Sequence, residues 1–221
     1  LEVDSGQCSV FQKDAENELR REIRWDPNLR PGVERLVSIW DRQKRIDKIG
    51  LLLTGYTERN PGDRWSTLIL AKSLYVIGQN DAAEKVLVKH NKIESKNLDA
   101  RLLLAKVRVG SKNFSGAVEV LKEAEEVFPQ DYRAKFNAGI VYSEMGKLSE
   151  AKEKYKQIPT DSSLYSKAAF NLASIYDKEG DTASAYNLVR TVKHASNDPS
   201  EIKSKYAELE KYLEKKILAQ K

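Results

Sequence analysis

The chain has 221 residues, 40% apolar and 32% charged, with six prolines and eleven glycines, which leaves room for one sizeable domain or a short repeat array of long regular segments. Its 38 Lys+Arg against 33 Asp+Glu give a net charge of +5, spread along the chain; this mildly favours an acidic partner but is no nucleic-acid footprint. The single cysteine, Cys8, excludes an internal disulfide and a thiolate metal cluster, and no apolar run approaches the ~20 residues of a membrane span.

The chain opens Leu1-Glu2 rather than with Met, which reads as a trimmed or processed start. The compartment therefore stays open between the cytoplasm and a cell envelope reached through an upstream signal. Cys8 invites a lipid-anchor reading, but Ser5-Gly6-Gln7 lacks the apolar residue usual three places before such a cysteine. A thiol in a loose N-terminal lead is the reading taken. Residues 1–29 are expected to hold that lead and a helix over 10–25, ending near Trp25-Asp26-Pro27. It reads as the second helix of a decayed unit.

Beyond it, apolar residues recur at i, i+3, i+4, i+7 with no strand-like alternation, broken at regular places by Gly, Asn, Asp or Pro. Ala83, Ala117, Ala151 and Ala185 stand 34 residues apart, a period that signals a repeat architecture. The first unit, 30–63, is degenerate: it keeps Leu36, Trp40, Leu53, Tyr56 and Pro61 but has Ile49 in the alanine column. Unit 64–97 carries Leu70-Ala71, Gly78, Ala83 and Leu87. Unit 98–131 carries Leu104-Ala105, Phe114, Ala117, Ala124 and Pro129, with Lys112 where its neighbours have a turn glycine.

Unit 132–165 shows Phe136-Asn137-Ala138-Gly139, Tyr142, Gly146, Ala151 and Tyr155. Pro159 falls inside its expected second helix and should end it near Gln157, with a loop through Ser163, because proline lacks the N–H and clashes with the preceding turn. Unit 166–199 shows Phe170-Asn171-Leu172-Ala173, Tyr176, Gly180 and Ala185. Residues 200–221 close the chain, in an amphipathic helix running from Pro199 to Gln220 with Ile202, Tyr206, Leu209, Leu213 and Ile217 on one stripe. It is expected to cap the last unit; a dimer contact through the same stripe is the alternative.

The small-residue columns have a physical cause. Two antiparallel helices pack closely only where small side chains meet at the crossing, and Leu87, Leu121, Tyr155 and Val189 then fill the space around it. The turn glycine supplies a backbone conformation that residues with a Cβ adopt only at a steric cost.

These units resemble the tetratricopeptide repeat family over residues 30–199. The resemblance implies an all-α, right-handed superhelical solenoid of antiparallel helix pairs with a C-terminal capping helix. It also implies a concave groove, lined by the first helix of each pair, where a protein or peptide partner docks. Arg108 departs from the pattern, since the family usually has a large aromatic there, and this puts the packing of that unit in doubt.

Carried onto this register, the groove takes Trp65, Ile69, Lys72 and Tyr75, then Leu102, Leu103 and Lys106. Arg133, Phe136, Asn137 and Ile140 follow, then Lys167, Phe170, Asn171 and Ser174. In family members that bind extended peptides, an asparagine at the position of Asn137 and Asn171 hydrogen-bonds the ligand backbone, as donor and acceptor. Arg133 and Lys167, one turn earlier, are placed to meet carboxylates. The plainer reading is that the two asparagines tie neighbouring helices together. A clamp for an acidic C-terminal tail fits only in fragments, because Leu68 or Leu102 and Lys72 or Lys106 stand where its lysine and asparagine belong.

No catalytic constellation is found. His90 and His194 lie far apart, and neither has a second ligand at metal spacing; His90 reads as a packed or edge histidine. Arg59-Asn60-Pro61-Gly62-Asp63 is an inter-repeat turn without Walker spacing. The expectation is a scaffold or adaptor, not an enzyme, with no cofactor or metal. Self-association through the C-terminal helix is the alternative, and a co-chaperone role is a minor one.

Overall fold

The computed structural model describes residues 5–195 and 200–219, and the side chains of 13–192 and 202–219. The Cys8 and His194 side chains, Pro199 and Gln220 lie outside this set. The described residues form helices joined by short turns, and they fall into two compact units, Leu1–Lys112 and Asn113–Lys221.

The first unit holds α1 (Ser5–Trp25), α2 (Arg30–Arg42), α3 (Ile46–Arg59), α4 (Arg64–Val76), α5 (Asn80–Ile93) and α6 (Leu98–Gly110). Each packs on its neighbour in sequence, and α4 also meets α6. The second holds α7 (Phe114–Val127), α8 (Arg133–Glu144), α9 (Leu148–Lys156), α10 (Tyr165–Lys178), α11 (Thr182–Ala195) and α12 (Ser200–Ala219), again packed in order, with α10 also against α12.

Local chemistry fixes where helices start. Side chains of Asp63, Asn97 and Asn113 accept from the backbone N–H three residues on, at 3.2, 3.2 and 3.0 Å, each satisfying a donor the helix cannot. Pro31 opens α2, where a missing N–H costs nothing. In α9 the helix stops at Lys156 with Gln157 as its C-cap, and Tyr165 begins the next, as Pro159 requires.

The turns inside the pairs repeat one geometry. Lys44, Gly78, Lys112, Gly146 and Gly180 all have positive φ, from 58° to 87°. After four of them the next N–H bonds the carbonyl five residues back: Arg45 to Trp40, Gln79 to Leu74, Lys147 to Tyr142 and Asp181 to Tyr176. This is the Schellman closure, and it demands a left-handed residue before that N–H. Two lysines adopt it at a steric cost glycine would not incur.

Helix pairs close over small residues. A Cβ on Gly139 would lie 2.6 Å from the Tyr155 ring, so glycine stands where the other units have Ala71, Ala105 and Ala173 because tyrosine stands opposite. Tyr155 is 3% exposed. Arg108, in place of an aromatic, is accommodated by an ion pair: its Nε donates to Glu84 at 2.8 Å, linking α6 to α5. The amphipathic stripe of α12 turns inward, burying Tyr206 and Leu213 against Ala169, Ala173, Ala185 and Val189.

Candidate functional site

In the first unit, three of the expected groove residues come together. Trp65, Ile69 and Lys72 project from α4 into a cleft of about 490 Å³ whose other wall is α2 and whose base includes Ile46 and Ile49 of α3. The facing wall is formed by Glu34, Val37, Ser38 and Asp41, which the repeat pattern does not point to. Their helix belongs to the degenerate unit, so no repeat column marked them. Their 3–4-residue spacing was the available signal, since it puts all four on one face.

This cleft is mixed in sign, not basic. Arg30 lies over the Trp65 ring at 5.6 Å while it pairs with Glu34 at 2.7 Å and Asp63 at 3.0 Å. Arg30 has its pKa raised, first by the Glu34 hydrogen bond, so this cluster is internally balanced. Lys72 is exposed and Asp41 is exposed. Further along, Lys106 sits over the Tyr75 ring at 5.3 Å, and that ring packs where a Cβ on Gly110 would come within 2.8 Å. Tyr75 is thus half-buried structure, with Lys106 shielding its open face.

In the second unit Arg133, Phe136, Asn137, Phe170 and Asn171 already hold partners of their own. Arg133 forks onto Asp131, its Nε and Nη2 donating at 2.9–3.1 Å, and this guanidinium holds the Asp131 carboxyl below its ordinary range. The Asn137 amide donates to the Arg133 carbonyl at 2.9 Å, within its own helix. The Asn171 amide donates to the Tyr155 hydroxyl at 3.2 Å, tying α10 to α9. Phe136 lies 6.0 Å from Tyr155, and Phe170 meets the edge of Tyr206 at 5.7 Å. Lys167 remains exposed. Tyr155, read from sequence only as filler, is the hub of this unit: burial pushes its hydroxyl pKa up, against the hydrogen bonds it makes.

His90 is 1% exposed. The Asn97 Oδ1 accepts from Ala100 N at 3.2 Å, so its Nδ2 faces His90 Nε2 at 2.9 Å. That nitrogen must be bare, which puts the proton on Nδ1. Burial holds the imidazole below its ordinary pKa, against a smaller opposing pull from the Pro61 backbone. The ring is a packing element that also holds Asn97, the N-cap of α6, in place. Among the described residues no group of His, Cys, Asp and Glu is arranged to hold a metal, and no helix is long and apolar enough to cross a membrane.

A family model described as a tetratricopeptide repeat-like domain matches residues 35–163. No curated protein is significantly similar to the chain. Among solved structures, MamA aligns with a TM-score of 0.59 at 18% identity, over 80% of this chain and 95% of its own. A thermophilic TPR protein of Thermus thermophilus aligns at 0.57 and 20% identity, over 79% and 95%. YrrB, described as a TPR protein with an unusual peptide-binding site, aligns at 0.58 and 14% identity, over 84% and 95%. At these identities the likeness concerns the fold.

Proposed function

The chain belongs to the tetratricopeptide repeat-like family, and from that premise we propose that it is a protein-interaction scaffold whose α2–α4 cleft grips a peptide or helix of a partner. The observation that carries this reading is the cleft itself. Apolar residues Val37, Ile49, Trp65 and Ile69 line it beside Ser38, Asp41 and Lys72, the mix of apolar floor and few polar groups that binding sites use. An apolar side chain of the guest would enter over Trp65 and Ile69. Lys72 and Asp41 would then meet its backbone or charged neighbours, so the guest carries both signs rather than an acidic run. The five 34-residue units from 30 to 199 are taken as the repeats, with α12 as their cap. YrrB's peptide-binding description is consistent with this class of activity.

The test places a photo-reactive residue at Ile69 in cells, with Lys211, exposed on α12, as the control position. A partner trapped at Ile69 and absent at Lys211, and lost on adding Trp65→Ala, is the expected outcome. Equal trapping at both positions would refute the cleft.

Self-association is the second reading, because Tyr212 and Leu218 of α12 stay 52% and 65% exposed. A concentration-independent monomer mass, with and without residues 200–221, removes it.

A further inference from the structure

A second trough of about 530 Å³ opens on the first unit between α1 and α3, away from the α2–α4 cleft residues. Its floor is apolar, formed by Leu36 and Trp40 of α2 with Ile23 and Leu52 beside them, and Leu51 on its rim is 80% exposed. The charged rim is of one sign: Arg20, Arg24 and Lys48.

Only part of that charge is neutralised. Glu16 pairs with Arg20 at 3.0 Å and with Arg45 at 2.7 Å, and both guanidinium groups lie over Trp40, at 5.4 and 5.6 Å. This pinned set is structural, and of its charged members Arg20 lines the trough. Arg24 donates only to a backbone carbonyl, that of Arg20 at 3.3 Å, and among the described residues neither Arg24 nor Lys48 forms an ion pair. Leucine at 80% exposure next to open cations is a surface that gains from being covered by apolar groups carrying the opposite charge. Trp25, next to Arg24 in sequence at the end of α1, is 91% exposed.

A trough walled by two helices suits a third helix lying along it. We propose that the α1–α3 trough is a docking surface distinct from the α2–α4 cleft, and that its occupant is an acidic amphipathic helix of a partner protein. Leucine-like residues at i, i+3, i+4 and i+7 would lie on Ile23, Leu51 and Leu52. Carboxylates flanking that stripe would meet Arg24 and Lys48. A basic helix is disfavoured by the same two cations.

The experiment uses the full chain and labelled helical peptides of about 18 residues, one with glutamates flanking a leucine stripe, one with lysines in their place, and one with the leucines scrambled. Fluorescence anisotropy should show binding by the glutamate peptide alone, weakened roughly tenfold by R24E with K48E, as two rim ion pairs would give. The charge-reversed chain should then gain affinity for the lysine peptide, which also shows that it is folded. Trp65→Ala and Lys72→Glu should leave the binding unchanged. Equal binding of the glutamate and lysine peptides, or indifference to the charge reversal, would overturn the proposal. So would loss of binding with Trp65→Ala, which would move the peptide to the α2–α4 cleft and leave the function proposed there standing. A dimer mass abolished by Leu51→Ser would assign the trough to a second copy instead.

Discussion

Gly139 and Tyr155 offer a quantitative test of the packing argument. A Cβ added at Gly139 would meet Tyr155 Cε1, Cζ and Cδ1 at 2.6, 2.8 and 2.9 Å, so the ring must withdraw by about 1 Å to reach ordinary carbon contact. It has little freedom to do so. It is 3% exposed, its hydroxyl is bound by Asn171 at 3.2 Å, and Phe136 lies against it. Overpacking of this kind costs about 1–3 kcal/mol, and a broken hydrogen bond adds about 1. Alanine is better than glycine inside a helix by about 1 kcal/mol. Gly139→Ala should therefore destabilise the protein by roughly 1–3 kcal/mol net. With Tyr155→Leu already present, which recreates the Ala71/Leu87 pairing in the columns, the same change should stabilise by up to about 1 kcal/mol. The assay is a double-mutant cycle from urea midpoints at constant m. If Gly139→Ala has the same sign in both backgrounds, the glycine is not there for the tyrosine.

Three further outcomes are expected. Lys112→Gly should raise stability by about 0.5–1 kcal/mol, because φ is +60° there and the left-handed conformation costs a Cβ-bearing residue about 1–2 kcal/mol, part of which glycine loses as entropy; an unchanged melting temperature would contradict it. His90 has its folded pKa below the ordinary 6.5 because it is buried, so the unfolded chain takes up the proton first. Stability is then full above that value and falls as pH drops through it toward the folded pKa; His90→Gln should flatten this stretch of a stability–pH profile, and an unflattened one would count against the assignment. Leu213→Ala, at a fully buried position of α12, should cost about 2–5 kcal/mol, whereas Leu218→Ser at 65% exposure should change thermal stability little.

Much of the fold was legible because a repeat states its rules several times. The 34-residue column of Ala83, Ala117, Ala151 and Ala185, the helical spacing and the turn glycines are local signals, set by helix geometry and backbone sterics alone. So was the break at Pro159. The degenerate unit was harder to read, since Lys44 hides a left-handed turn that the φ angles make plain, and its α2 contributes the unforeseen Glu34 and Asp41 to the cleft.

The site was legible only as a face. Sequence put Arg133, Asn137 and Asn171 on the first helices, but it could not tell an open polar group from an engaged one. The tertiary structure decided that: Asp131 takes Arg133, the helix's own carbonyl takes Asn137, and Tyr155 takes Asn171. Periodicity follows from the chain's own helical repeat, which each residue reports locally. Side-chain partnership depends on which of several long, rotatable groups arrive within hydrogen-bond reach after packing, and only the packed structure fixes that.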